Sequence, residues 1–487
     1  MRKIIFYILA LVYIISCPLI ILYAFGYIYS PGKPGEGGSV LQTGLMYVAT
    51  VPPGATLQVK GTEHPQTTPA TIRDLLPGTY PIAIEMEGYN SWSQDIPVEA
   101  EKATVLDKII LLPKKWKEEK LLEGPFTDLA PMLGSGHFLV KGGPNAGNFT
   151  VYNYTDDKEI PLLEDGSPFF KDKVLSYYLV DKSSAMLLRV GTSGEEKFLW
   201  IEPDEDPGKA TDVTSLLEDL PERIKWVPQA EWLQFGEDRL YTYQSGYVNR
   251  IDIESGAVYP EYVNEVKGYA LFNNEIYVLK ENNEFLKMDL NKDNKNKLLD
   301  DPELGHRLFG EKGYFEVEVL SDDFILFVGE KGELLANRLP HRFVEGGIRG
   351  LKPYMPLEHV LLWKKDSIGI LDFSTEETGN VEFEKGPTLT WIYTKGKNIE
   401  QCFWVYEGTH ILFRDGMDVF LIESEEYGEY ILSHLFRLGD KSNINYSDDT
   451  KEIYFLEASK GDLVSVNLMP ETTVLQGALP AGKNEKK

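Results

Sequence analysis

The sequence predicts an all-β protein behind one N-terminal transmembrane helix. A small β-sandwich follows the helix, and a β-propeller of about eight blades, seven if one repeat is misread, takes up the rest. Three observations carry this. Residues Ile4 to Tyr29 form one uncharged run, residues 47–112 alternate apolar and polar side chains with period two, and a hairpin pattern then recurs eight times at intervals of about 45 residues.

The chain has 487 residues, 43% of them hydrophobic, enough to build cores for two or more domains. Its 49 Lys+Arg stand against 76 Asp+Glu, a formal charge of −27. An acidic surface of this size excludes nucleic acid as a partner, because affinity for a phosphate backbone comes from clustered Lys and Arg. It also excludes broad adhesion to anionic lipid, so membrane attachment has to come from a dedicated apolar segment. Cys17 and Cys402 are the two cysteines; Cys17 falls in the apolar run, so neither a disulfide nor a cysteine metal site is expected.

Residues 1–30 read as a cytoplasmic stub and a signal anchor. The 26 uncharged residues from Ile4 to Tyr29 span roughly 39 Å as a helix, against a hydrocarbon core of about 30 Å. A cleaved signal peptide has a shorter apolar region and a small-x-small exit, whereas this run leaves through Ala24-Phe25-Gly26-Tyr27. Arg2 and Lys3 outweigh Lys33, which places the N-terminus in the cytoplasm and the bulk of a single-pass protein outside it, with Tyr27 and Tyr29 at the far headgroup level. Ile14-Ile15-Ser16-Cys17 has the outline of a lipoprotein box, but Pro18 and further uncharged residues follow, so Cys17 is expected as a plain thiol.

Residues 31–46 are a Pro/Gly-rich linker, Ser30-Pro31-Gly32-Lys33-Pro34-Gly35 at its head, which favours neither helix nor central strand. From 47 to 112 short strands follow. Tyr80, Ile82, Ile84 and Met86 fall on one face, and turns are marked by Pro53-Gly54-Ala55, Pro77-Gly78 and Gly88-Tyr89. With Gly61, Thr68-Pro69 and Pro77-Gly78-Thr79-Tyr80 in order, this segment resembles the PEGA domain family. The resemblance implies an extracytoplasmic interaction module of cell-envelope proteins with no catalytic residues to carry over. The loop Thr62 to Thr67 departs from the shorter turn usual in that family. Gly54, Gly78 and Gly88 read as turn positions, and Tyr89 and Trp92 as packing residues.

Residues 113–120, Pro113-Lys114-Lys115-Trp116-Lys117-Glu118-Glu119-Lys120, read as a charged linker, and 121–470 as the propeller. Copies of the strand-turn-strand pattern begin near His137, Ala185, Leu240, Ile276, Ile325, Val360, His410 and Ile453. Their spacing of about 45 residues is that of four-stranded blades, each copy being a central hairpin. The repeat resembles WD40-like and Tol-type propellers of the bacterial envelope, without the Gly-His and Trp-Asp signatures of true WD40 repeats; that likeness speaks to fold, not function. Pro203 to Ile224 is a longer insert in which Ser215 and Glu218 form a capping box for a short helix. Residues 471–487 read as a disordered tail.

Local chemistry is thin. Asp289, Asn291, Asp293 and Asp300 fall at positions 1, 3, 5 and 12 of an EF-hand-like loop, but Asn294 replaces the glycine at position 6 and Lys292, Lys295 and Lys297 intrude. An ordinary turn is the reading. No Gly-x-Ser-x-Gly, His-Glu-x-x-His or phosphate-loop motif occurs. Histidines 64, 137, 306, 341, 359, 410 and 434 are scattered, and His137 and His410 open equivalent strands. Asp322-Asp323 and Asp448-Asp449 read as solvated turns, and Trp200, Trp226, Trp232, Trp363 and Trp404 as blade packing rather than sugar-stacking platforms. Sequons at Asn148 and Asn445 matter only in a glycosylating host. No catalytic, cofactor or metal residues are assigned.

Two functions remain. The first is a non-enzymatic, membrane-anchored binding or scaffold protein that engages a protein or cell-wall glycan outside the membrane. The second is an enzyme or ligand sensor using the propeller channel on an envelope carbohydrate or peptide, since such sites are assembled from several blades and leave no local motif.

Overall fold

The computed structural model describes all residues except 1, 25, 31–38, 133–135, 143–148, 163–173, 180–184, 193–194, 203–208, 218–222, 228–238, 254, 274, 290–294, 300–308, 311–312, 338–342, 375, 379–380, 384–386, 425–426, 440–441 and 469–487. One helix, α1 (Arg2–Ala24), opens the chain. Phe6, Leu9, Tyr13, Ile14 and Ile20 on it are more than half exposed. Among the described residues no helix is long and apolar enough to cross a membrane; along α1 the side chains are described at only some positions.

The contacts divide the chain into two units, one holding residues 1–117 with Glu423–Ile431 and residues from 467 on, the other holding Glu118–Ile422 and Leu432–Val466. In the first, Tyr27–Ser30 pairs antiparallel with Ser39–Gln42. The Thr43 amide and hydroxyl both donate to the Gly26 carbonyl, at 2.8 and 2.7 Å. The segment expected as a linker over 31–46 is therefore strand at 39–42 and again from Gly44. Pro and Gly content hid this, because a short ribbon needs only backbone pairing.

The sandwich has a four-stranded sheet, ordered Thr62–Glu63, Thr56–Val59, Gly78–Glu85, Trp92–Val98, and a three-stranded sheet, ordered Ala70–Leu75, Gly44–Val51, Ala103–Ile110. Alternation does the work: along Gly44–Val51 every second residue is buried, so Met46 and Val48 meet Leu57, Ile82, Ile84 and Leu106 in one core. Trp92 is buried and Tyr89 packs against that core. Gly44 is required by a close approach, since a Cβ there would lie 2.3 Å from the Glu99 carbonyl oxygen.

The second unit holds eight four-stranded antiparallel sheets among the described residues, with a two-stranded ribbon, Glu376–Thr378 and Val381–Phe383, inserted in the sixth. Blade 1 runs from Phe126 to Pro161, blade 2 from Val174 to Asp212, blade 3 from Arg223 to Val263, and blade 4 from Val266 to Leu299. Blade 5 runs from Phe315 to Glu345, blade 6 from Gly350 to Tyr393, and blade 7 from Ile399 to Arg437. Blade 8 joins Ile444–Ser447, Glu452–Leu456 and Leu463–Asn467 to Glu118–Leu122 from the far end of the sequence. Glu118 pairs with Val466 and Lys120 with Val464; the last three residues of the expected 113–120 linker thus belong to the strand that closes the ring and covers a sheet edge. The eight hairpins read from the sequence are the second and third strands of these blades.

The 203–224 insert holds a 3-10 turn, Thr214–Leu216, in place of the expected capped helix. Asp212 caps it locally, its Oδ1 accepting from the Thr214 amide at 3.0 Å; Glu218 lies outside the described residues. The propeller core is a series of layers shared by consecutive blades. Tyr277 and Phe285 of blade 4, for example, pack with Phe315 and Phe327 of blade 5.

Candidate binding site

Among the described residues of the propeller, blade 3 carries a groove. Its strands Arg239–Gln244 and Tyr247–Asp252 are joined by Ser245-Gly246, both at positive φ (47° and 91°), as a two-residue turn of the twisted hairpin kind requires. The turn fixes the register. Thr242 faces Asn249, Gln244 faces Tyr247, and Ile251 faces Val258 of the next strand. These side chains share one face of the sheet, and with Leu216 and Leu217 from the 3-10 turn they line a groove of about 530 Å³. Asn249 Oδ1 accepts from the Glu261 amide at 2.8 Å, which fixes one wall. Tyr247 is 40% exposed.

The groove presents amides, hydroxyls and a phenol ring beside aliphatic patches, with one carboxylate, Glu261. Such a surface can exchange hydrogen bonds with a neutral polar ligand and stack on its apolar face. Reading the sequence did not find this groove, because its members come from three strands and a turn; the Gln244-Ser245-Gly246-Tyr247 hairpin was the only local signal.

The residues singled out by sequence go elsewhere. Asp289 ends one strand of blade 4 and Lys295 begins the next, paired as a hairpin with Met288 opposite Lys295, while 290–294 and Asp300 lie outside the described residues. Among the described residues no group of His, Cys, Asp and Glu is placed to hold a metal. His137 and His410 are buried at the start of the second strands of blades 1 and 7. Thr409 Oγ1 and His410 Nδ1 are 2.9 Å apart, and burial pushes the His410 imidazole down to about 3. Asp322 accepts from the Tyr277 hydroxyl at 2.7 Å and from Lys287 at 3.0 Å, while Asp448 pairs with Lys451 at 2.6 Å. Neither belongs to a carboxylate dyad; each ties a turn.

Trp200, Trp363 and Trp404 are buried, with Trp200 Nε1 donating to Glu202 at 2.7 Å and Trp404 Nε1 to the Lys352 carbonyl at 2.9 Å. The Trp226 side chain, Trp232 and Asn148 lie outside the described residues. Two lysines that sequence reading passed over sit on the first strands of blades 4 and 6. Lys267 is buried, donates to Asn283 and to the Gly310 carbonyl, and lies 5.6 Å from the Phe309 and Phe315 ring centres. Lys352 Nζ lies 3.5 Å from the centre of the Phe403 ring. Burial pushes both ammonium groups down to about 8, with Glu281 opposing it at Lys267. Charge is expensive at these positions, and the aromatic faces offset part of the cost.

The geometry defines a sandwich module followed by an eight-bladed propeller. Residues 43–110 match the PEGA domain, so the chain carries a PEGA domain, and its own sheet order makes the region that follows a β-propeller. No curated protein sequence matches the chain. Among solved structures, the WD40 domain of SCAP from fission yeast is similar at 10% identity and a TM-score of 0.41, over 73% of this chain and 98% of that one. BamB from Moraxella catarrhalis is similar at 14% identity and a TM-score of 0.38, over 71% of this chain and 99% of that one. These likenesses concern fold alone.

Proposed function

We propose that this is a membrane-anchored binding or scaffold protein of the cell envelope, its N-terminus cytoplasmic, its bulk outside, engaging a protein or cell-wall glycan. The observation that carries the binding reading is the blade 3 groove, a hydrogen-bonding and aromatic surface with aliphatic patches. The PEGA domain supports the same class of role. Anchoring is supported by the run from Ile4 to Tyr29 without a charge and by the exposed apolar side chains of α1.

The test is cross-linking and capture of partners from solubilised membranes and wall fragments, with wild type and Y247A/Q244A run side by side. A partner retained by wild type and lost by the double variant supports the reading; equal retention by both removes the groove from it. Protease added to intact wall-stripped cells should digest the propeller and leave a small membrane fragment. Full protection would reverse the topology.

A second reading, an enzyme or ligand sensor acting through the propeller, is favoured by Lys267 and Lys352, whose amines are partly neutral near pH 8. Turnover of an envelope glycan or peptide that K267M or K352M abolishes would favour it over binding.

A further inference from the structure

Residues Glu423–Ile431 leave blade 7 between its third and fourth strands and belong to the same compact unit as the PEGA domain. Tyr427 and Ile431 pack on that domain's core. The Tyr427 ring meets Trp92 edge-on with centroids 6.4 Å apart, and its hydroxyl accepts from the Lys108 amide at 3.3 Å. Gln94 and Glu429 are joined twice: the Glu429 amide donates to Gln94 Oε1 at 3.1 Å, and the Gln94 amide donates to the Glu429 carbonyl. Gly428 fits where a Cβ would lie 2.8 Å from Gln94 Oε1 and 3.1 Å from the Asp95 carbonyl oxygen.

At the head of the segment Glu423 is 5% exposed. Trp92 Nε1 donates to its Oε1 at 2.8 Å, while its Oε2 is buried and, the weak pull of the Ile431 amide on the carboxyl aside, meets no hydrogen-bond partner of good geometry among the described residues. An ionised carboxylate in that position forfeits hydration it does not recover, whereas the neutral acid gives up far less. Gly428 and Glu429 also wall a groove of about 600 Å³ whose other side includes Gln58, Ala83, Ser93 and Gln94 of the PEGA domain.

We propose that Glu423–Ile431 is a proton-closed clasp on the PEGA domain: with the Glu423 carboxyl uncharged the segment is seated, and ionisation of that carboxyl releases it and unwalls the groove.

The electrostatics agree in sign. Burial pushes Glu423 up to about 7, against the Trp92 indole and the Ile431 amide, which both favour the ionised form. The charged and titratable side chains on the packed elements are Glu85 on Gly78–Glu85, Asp95 beside Gln94, Asp107 and Lys108 on the Ala103–Ile110 strand, and Glu429 in the segment; within blade 7 they are His410, Arg414 and Asp415 on the adjacent strand, Asp418 on Glu423's own strand, and His434 and Arg437 on Leu432–Arg437. Glu425 and Glu426 lie outside the described residues. A carboxyl raised when seated contributes holding strength that is complete below its ordinary value and lost as pH rises through about 7.

Hydrogen exchange on the full chain between pH 5 and 8, corrected for intrinsic rates and read at the Lys108 and Glu429 amides, tests this. The opening equilibrium should rise roughly tenfold per pH unit up to about 7 and then level off, close to a hundredfold in all. E423Q, uncharged throughout, should stay protected at every pH. W92F, which loses the donor that favours the ionised form, should keep the slope and carry it to higher pH. Protection independent of pH in wild type overturns the proposal, as does a wild-type slope in E423Q. Should E423Q fail to fold, wild type and W92F decide it.

Discussion

The PEGA domain and the propeller bury the same kinds of side chain in opposite ways. In the PEGA domain a single cluster runs from Met46 to Leu111 and draws in Tyr427 and Ile431 from more than 300 residues away. In the propeller the buried side chains fall into layers, each shared by two consecutive blades, as when Phe324 of blade 5 stacks near Phe373 of blade 6 with centroids 4.6 Å apart. A single core makes a unit that unfolds as a whole. Layered cores make one that tolerates local damage until the ring itself opens.

The largest expected effect tests the layered half of this comparison. Phe327 is 2% exposed, meeting the Phe285 ring at 5.0 Å and the Phe309 ring at 4.9 Å. Phe327→Ala should cost about 4 kcal/mol, the usual scale for a buried ring. Hydrogen exchange should show the loss of protection concentrated in blades 4 and 5. Uniform loss around the ring would mean that the layers are one cooperative core.

Next comes the single core. Ile84 is fully buried between the two sheets, and Ile84→Ala should cost about 3 kcal/mol. Calorimetry should show the PEGA transition lowered while the propeller transition stays within a degree or two. One merged transition, displaced as a whole, would show that the two units unfold together.

This contrast also explains what the sequence made legible. Blade hairpins close on themselves through local turns such as Ser245-Gly246, so their period survives in the order of residues. Strand Glu118–Leu122 pairs instead with Leu463–Val466 at the other end of the chain. It is an edge strand, exposed over Glu118–Lys120, so nothing selects apolar side chains there and it reads as a charged linker. The clasp is hidden for a related reason: Trp92 and Glu423 are 331 residues apart, and neither has a local pattern that announces the other. The blade 3 groove is built of ordinary polar residues that only register brings together.

A third effect is smaller and depends on pH. His410 is buried beside the Tyr406 ring, whose centroid is 5.3 Å away, and its imidazole is pushed down to about 3 by burial. A depressed group contributes stability that is present above its ordinary value near 6.5 and lost as pH falls toward its folded value. The propeller's melting temperature should therefore fall more steeply between pH 6.5 and 4 in wild type than in His410→Gln. Parallel curves would show that the imidazole is charged in the folded state at no added cost.

The smallest effect compares two turns in the same place. Asp322 and Asp448 both lie between the first and second strands of their blades, 5 and 8. Asp322 is held well within the ionised range by the Tyr277 hydroxyl and by Lys287, which also pairs with Glu275 at 2.6 Å. Tyr277 and Lys287 come from blade 4, so this carboxylate links two blades. Asp448 pairs with Lys451 three residues on; its side chain is 64% exposed and that of Asp322 62%, so the partners and not the exposure separate the two. An exposed local pair is screened by salt and spends side-chain entropy on being held, so Asp448→Ala should change stability by about 0.5 kcal/mol or less. Asp322→Ala removes an acceptor from a phenol and an ammonium of the neighbouring blade and should cost about 1 kcal/mol. Denaturant melts at low and high salt decide it: the Asp322 effect should persist at high salt more fully than the Asp448 effect, because the Tyr277 hydroxyl donates to Asp322 at 2.7 Å and the Tyr446 hydroxyl reaches Asp448 only at 3.4 Å. Equal effects at the two positions would mean that contacts between blades count for no more than contacts within one.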